Sequence, residues 1–180
     1  MPDAPAAAGV RSLRELEPGL ELECVRAGFR DAEVLLGDQA LATLTPVGFF
    51  GASVEAESAD GSWTIARKGW FGGTHLVTER GRDVEAARWE GGIWRGQSRI
   101  VFPDGRDYRW KKTSFWRMNY SVLKNDVPVL TFAAKRAWFK TSHIVTVEPG
   151  ARSAGQDLPI LVLLGCHLLL AAVDAAQSAV

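Results

Sequence analysis

The sequence predicts a mainly β protein, namely a closed antiparallel barrel of about twelve strands around one buried hydrophobic C-terminal helix. Two observations indicate the barrel. Short segments with an apolar residue at every second position recur along the chain, and glycine- or asparagine-containing turns separate them. A third observation indicates the helix: the run from Leu158 to Val173 is apolar on all sides, as in a helix that protein or lipid encloses.

The strands are predicted from alternation of apolar and polar residues. In Leu20-Glu-Leu-Glu-Cys24 apolar side chains alternate with glutamates, so the two kinds of residue lie on opposite faces. In the segment 106–111, Tyr108 and Trp110 share one face and two basic residues share the other, which indicates a sheet with one polar side. The predicted strands lie near 20–24, 33–37, 40–46, 49–57, 62–68, 73–79, 82–89, 93–101, 106–112, 114–124, 127–134 and 142–148.

The C-terminal apolar segment is predicted to form a core helix near 157–176. Asp157 suits the N-cap and Pro159 the first turn. The sixteen residues from Leu158 to Val173 would reach about 24 Å, less than the ~30 Å hydrocarbon core of a bilayer, and no aromatic or basic anchors flank them. A wide barrel also needs a filler for its interior. The alternative is a membrane-inserted or tail-anchored helix.

The chain of 180 residues is of single-domain size. We expect residues 1–18 to form a loose Ala/Pro-rich tail, with one helical turn in Ser12-Leu-Arg-Glu-Leu16, and residues 19–180 to form a single barrel domain. The first nine residues lack the features of a secretory signal. Cys24 and Cys166 are isolated and are expected to be free buried thiols, so the predicted location is cytoplasmic, peripheral at a membrane if lipid is bound.

The sequence contains no motif typical of an enzyme. It lacks a nucleophile elbow, a phosphate-binding loop and a dinucleotide fingerprint. His75, His143 and His167 lack the close spacing of zinc ligands, and His167 is expected to be a core histidine that donates to a strand carbonyl. We therefore expect no catalytic residues, no metal and no cofactor.

Charge is the one functional signal. Residues 1–60 hold 4 basic and 11 acidic residues, whereas residues 61–140 hold 16 and 7. The two segments could cancel each other in the fold, or the second could attract an anionic partner. Nucleic acid is not expected, because the isoelectric point is 6.8 and the aromatic residues alternate toward the core. The candidate ligand-binding residues are Arg67, Lys68, Arg109, Lys111, Lys112, Arg117, Lys135, Arg136 and Lys140. The alternative is that they are scattered cations that keep strand edges from aggregating.

Several segments resemble a known family. The hairpin 106–124, the segment Val129–Lys140, the strand His143–Val147 and the apolar C-terminal helix are similar to the tubby C-terminal-like superfamily, and within it to the LURP-one-related and phospholipid scramblase branch. Ala66–Gly72 resembles the companion Lys-Trp-Phe segment of the first half. The resemblance implies a twelve-stranded barrel around a central hydrophobic helix. It also implies lipid-related functions, because the family includes phosphoinositide-binding and scramblase proteins.

The expected function is that of a non-enzymatic module that contacts anionic, phosphoinositide-like lipid headgroups or a protein partner through its basic strands. One alternative is a scramblase-like or tail-anchored membrane protein that inserts Leu158–Val173. A second is a small-ligand carrier or enzyme with a pocket at the barrel mouth. A pocket in which a titratable group lies beside converging polar side chains would indicate this last alternative.

Overall fold

The computed structural model of the chain describes residues 11–28, 30–48, 53–68, 73–91, 98–114, 117–136 and 141–178, with the side chains at 135, 136 and 141 left out. Within these ranges twelve antiparallel strands form one closed barrel, as the sequence predicts. The strands are β1 (Glu21–Arg26), β2 (Ala32–Leu36), β3 (Gln39–Val47), β4 (Ser53–Ser58), β5 (Gly61–Lys68), β6 (Thr74–Glu79), β7 (Glu85–Glu90), β8 (Ser98–Val101), β9 (Asp107–Lys112), β10 (Tyr120–Lys124), β11 (Val127–Arg136) and β12 (Thr141–Val147).

Each strand pairs with its neighbours in the chain, and β1 pairs with β12 to close the barrel. The register of the closing pair places Cys24 opposite His143, and both side chains are buried. The predicted turn between β10 and β11 consists of Asn125 and Asp126, with φ values of 50° and 64°. Positive φ at two consecutive residues is the geometry of the hairpin turn that matches strand twist.

One helix, α1 (Leu158–Gln177), lies inside the barrel, and its residues from Leu158 to Leu170 are almost all buried. The region Gly155–Gln177 is long and apolar enough to cross a membrane; its most apolar 18-residue window has a mean hydropathy of 2.1, and 61% of that window is buried. The prediction of a helix near 157–176 is confirmed, but the argument that the sixteen-residue apolar run is too short to span a bilayer does not hold for α1, whose twenty residues reach about 30 Å. Enclosure by the strands, not insufficient length, therefore identifies α1 as a core helix.

The helix packs closely against the wall at Gly165. A Cβ atom at this position would lie 2.2 Å from the Cζ atom of Phe132 on β11. Carbon atoms in protein cores pack at about 3.5–4 Å, so this contact requires a residue without a side chain. Glycine lowers helix propensity, and here the loss allows α1 to pack against β11.

The start of α1 is fixed to the barrel by Asp157. This residue occupies the N-cap position, as predicted, but its carboxylate makes no capping hydrogen bond. It accepts instead from the hydroxyl of Tyr108, at 2.7 Å, and from Nη1 of Arg106, at 2.6 Å. Asp157 is 2% exposed, and hydrogen bonds to both carboxylate oxygens offset the cost of burying its charge.

The prediction of a loose tail over residues 1–18 was wrong for its second half; residues 1–10 lie outside the described ranges. Leu13–Glu15 forms the predicted helical turn, and Leu13 is fully buried against the barrel. The amide of Leu13 donates to Oδ2 of Asp60 at 2.7 Å, and the hydroxyl of Ser12 donates to Oδ1 at 2.5 Å. The alternation of apolar and polar residues predicts strands. It does not predict a short helical turn that packs on the barrel through Leu13 and Leu16 and is hydrogen-bonded to Asp60.

Candidate functional site

The two ends of the barrel differ, and α1 defines them. The helix starts beside Tyr108 and ends beside Arg26, whose Nη2 atom donates to Asp174. We call these the entry end and the exit end. Because the strands form an antiparallel series, every odd-numbered strand runs toward the exit end. The residues that close β1, β5, β9 and β11, and the connections that follow them, therefore lie at the exit end.

Most of the candidate basic residues are at the exit end. Five described ones have exposed side chains there, at the ends of β5 and β9 or in the connection after β9, and none forms an ion pair with another described residue. Lys135 and Arg136 close β11 at the same end. Lys140 lies outside the described residues. The five are Arg67, Lys68, Lys111, Lys112 and Arg117.

Arg109 does not belong to this group. It lies in the middle of β9, and its Nη1 atom donates to Oδ1 of Asp126 at 2.7 Å. Asp126 is in the turn between β10 and β11 at the entry end. The candidate set thus contains one member whose charge is already paired on the barrel wall.

The structure adds two basic residues that the sequence prediction missed. Arg26 closes β1 and Arg30 lies in the next connection, and both are exposed. The alternation of residues along β1 could have identified Arg26, because it lies on the same inward face of the strand as the buried Leu22 and Cys24. The final inward-facing position of β5 and β9 is also basic, at Arg67 and Lys112. Arg136 holds the corresponding register position at the end of β11.

The acidic residues are concentrated at the other end. At the exit end the described acids are Asp31, Glu33, Glu90 and Asp174, and the last two are ion-paired. Several acidic residues at the entry end form ion pairs with the basic residues of that end; Arg106, for example, pairs with Asp104 and Asp157. The acids at or next to the entry end are Glu15, Glu17, Glu21, Asp38, Glu57, Asp60, Glu79, Asp83, Glu85, Asp104, Asp107, Asp126, Glu148 and Asp157. Ion pairs therefore cancel part of the charge on the wall and at the entry end, whereas the order of the strands places most acids and the unpaired basic residues at opposite ends of the barrel.

Neutral histidines lie below the basic rim. The ring of His75 on β6 packs edge-on against that of His167 on α1, with centroids 5.1 Å apart, and against Trp89 on β7, at 5.3 Å. Burial and the charge of Arg67 lower the pKa of His75 to about 4, and burial and His75 do the same for His167. Burial and Arg26 also lower the pKa of His143. These groups are uncharged at neutral pH.

Three of the polar atoms in this region have no partner among the described residues: Nδ1 of His75, Nδ1 of His143 and Nε1 of Trp89. Most buried polar atoms in proteins are hydrogen-bonded, so an unpaired group marks a place where water or a ligand fits. The interior near the exit end is thus more polar than the leucine-rich middle of the barrel.

A pocket of about 270 Å³ opens at the exit end, between the last turns of α1 and the wall formed by β1 to β4. It combines an apolar wall with a polar rim and reaches His167. The sequence could not predict this site, because its residues come from five elements that meet only in the closed barrel. The lining residues are Arg26, Arg30, Ala32, Leu44, Pro46, Val54, His167, Leu170, Ala171 and Asp174.

The two cysteines are not activated as nucleophiles. Cys24 and Cys166 are free and fully buried, as predicted, and hydrogen bonding to Cys24 together with burial raises the pKa of the Cys166 thiol well above its usual value. A protonated buried thiol is a poor nucleophile. Among the described residues no three His, Cys, Asp or Glu side chains lie close enough together to hold a metal ion.

The chain was compared with protein-family models, with curated proteins and with solved structures, and none of these comparisons gave a match.

Proposed function

We propose that this barrel is a non-enzymatic module that binds anionic lipid headgroups at a membrane surface through its exit end. The single observation that carries the proposal is the separation of charge along the barrel axis. Exposed basic residues without described ion pairs surround the exit end, whereas most acidic residues lie at or near the entry end. An anionic surface would therefore attract one end of the barrel and repel the other.

The size of the effect is sufficient for peripheral binding. A basic residue near an anionic membrane surface contributes about 1 kcal/mol, and the field extends about one Debye length, ~8 Å, into solution. Arg67, Lys68, Lys111, Lys112 and Arg117 lie at one end of a short barrel, so several can contact the same surface. Together they would provide several kcal/mol of attraction, which salt would weaken.

The relation to the tubby C-terminal-like superfamily is part of this proposal. A twelve-stranded barrel around a hydrophobic helix has the architecture that the resemblance implies. Because that superfamily includes lipid-binding proteins, membership of it would agree with lipid binding by the basic exit end. A cytoplasmic location, peripheral at the membrane, is the corresponding proposal for where the protein acts.

Sedimentation with lipid vesicles tests the proposal. We expect the protein to sediment with vesicles that contain phosphatidylserine and a phosphoinositide, and not with phosphatidylcholine alone. The double substitution Lys68→Ala/Lys112→Ala should weaken binding roughly 30-fold, since it removes two contributions of about 1 kcal/mol each. Higher salt should weaken the wild-type interaction in the same direction.

The matched control removes the same charge from the entry end. Arg82 and Arg152 are exposed there, and Arg82→Ala/Arg152→Ala changes the net charge as much as the test variant does. We expect this control to sediment like the wild type. Equal loss in both variants would mean that only net charge matters, and failure of the wild type to sediment with any anionic vesicle at low salt would overturn the lipid-binding function.

A further inference from the structure

The pocket at the exit end has one apolar side. Ala32 of β2, Leu44 of β3 and Val54 of β4 face Leu170 of α1 across it. All four are at most 8% exposed, so only small parts of these side chains form the surface of the pocket. The volume of about 270 Å³ is close to the lower limit of ~300 Å³ for small-molecule sites. At ~30 Å³ for each water-sized group, it has room for roughly nine such groups.

The rim of the pocket already holds a carboxylate. Nη2 of Arg26 lies 2.7 and 2.5 Å from the two carboxylate oxygens of Asp174. Asp174 is on the last turns of α1, where its side chain is 59% exposed. An exposed ion pair of this kind contributes little to stability, so a ligand carboxylate can replace it at small cost. The guanidinium of Arg26 also donates to the carbonyl of Arg30 at 2.8 Å, which fixes its position.

His167 lines the pocket one helical turn before Leu170 and Ala171, so it lies deeper than the rim at Asp174. Burial and its neighbour His75 lower the pKa of His167 to about 4, so its ring is neutral at pH 7. A neutral imidazole provides one hydrogen-bond donor and adds no second buried charge to desolvate.

We infer that this pocket binds a small amphiphilic carboxylate, with the carboxylate on Arg26 and the apolar chain along Leu44, Val54 and Leu170. This site goes beyond the membrane-surface function and does not depend on it. An inorganic anion would not contact the apolar side of the pocket, and an uncharged hydrocarbon would form no ion pair with Arg26. A chain of about eight carbons fits the volume, so octanoate is the probe of choice.

The first test is a titration of the full-length, isotopically labelled protein with octanoate, followed by NMR of the histidine side chains. Saturable shifts of the His167 ring are expected, because His167 lines the pocket. Octanol and acetate each lack one half of the ligand and should bind at least about tenfold more weakly. Equal binding of octanoate and octanol, or shifts that never saturate, would overturn the site.

Three substitutions on the exposed part of α1 locate the ligand. Ala171 lines the pocket, and Ala171→Trp should fill it and abolish octanoate binding. Ala176 is exposed on the same helix and outside the lining, so Ala176→Trp should bind normally. Asp174→Asn should tighten octanoate binding by roughly five- to tenfold, because it removes the carboxylate that competes for Arg26. Unchanged affinity in Ala171→Trp would place the ligand elsewhere, and unchanged or weaker affinity in Asp174→Asn would remove Arg26 as its anchor.

The two functions can fail separately. Ala171→Trp leaves every basic residue in place and should still sediment with anionic vesicles. Lys68→Ala/Lys112→Ala changes no residue of the pocket lining and should still bind octanoate. If either variant lost both vesicle binding and octanoate binding, the two ligands would share one site, and the proposal of a separate pocket would be overturned.

Discussion

A chain that ends at Asp157 is expected not to fold into the barrel. The deletion removes twelve buried residues of α1, most of them Leu, Ile or Val, each of which stabilises the fold by about 1.5–3 kcal/mol. The net stability of a domain is only ~5–15 kcal/mol, so the loss exceeds it. The inward faces of the strands would also surround an empty space. Amide NMR spectra or near-ultraviolet circular dichroism would report the missing tertiary structure.

A shorter deletion is the control for this result. A chain that ends at Val173 loses only described residues that are exposed, together with the ion pair between Arg26 and Asp174. It should fold like the full-length protein, with a stability lower by about 1 kcal/mol or less. A dispersed, native-like spectrum from the chain that ends at Asp157 would show that the barrel does not need α1.

Lowering the pH from 7 to 5 is expected to destabilise the protein strongly. The pKa of His75 and that of His167 are about 4 in the folded protein, against 6.5 for an ordinary histidine. As the pH falls below 6.5 the unfolded chain binds protons that the folded chain does not, so stability is present above pH 6.5 and is lost toward pH 4. The loss by pH 5 is about 2 kcal/mol for each histidine.

Denaturant unfolding at a series of pH values measures this loss. His143 acts in the same direction, because burial and Arg26 lower its pKa too. The variant His75→Gln/His167→Gln should keep its fold and show a much flatter dependence between pH 7 and 5. Ordinary carboxylates stay ionised in this range, so they do not mask the effect. A variant with the same slope as the wild type would show that these two histidines do not cause the acid sensitivity.

Much of the fold follows from local sequence. Alternation places Tyr108 and Trp110 inside and Arg109 and Lys111 outside, and the structure shows this arrangement. Turn residues such as Asn125-Asp126 join strands that are neighbours in the chain, so the order of strands follows from the turns. A barrel built only from such hairpins is unusually accessible to prediction, because each strand pairs with its neighbours in sequence and only the closing pair joins distant segments.

The candidate site depended on contacts that local sequence does not encode. The alternation of apolar and polar residues predicts the face of the strand on which Arg26 or Arg67 lies. It does not show that both residues lie at the same end of the barrel. The contact of His75 with His167 joins a strand and a helix that are far apart in the chain. From the charge balance of the two segments, mutual cancellation was one predicted outcome. In the barrel the chain reverses direction at every turn, so the connections alternate between the two ends, and most acidic residues lie at one end and the unpaired basic residues at the other.

Contact between the exit end and anionic membranes can be measured directly with a fluorophore on one introduced cysteine. Gln177 at the exit end and Val84 at the entry end are both exposed, and Gln177→Cys and Val84→Cys change no charge. Cys24 and Cys166 are fully buried, so the label should react with the introduced thiol. With anionic vesicles that carry a lipid-bound quencher, we expect the label at position 177 to be quenched and the label at position 84 to stay bright. Equal quenching at both positions, or stronger quenching at position 84, would contradict binding through the exit end.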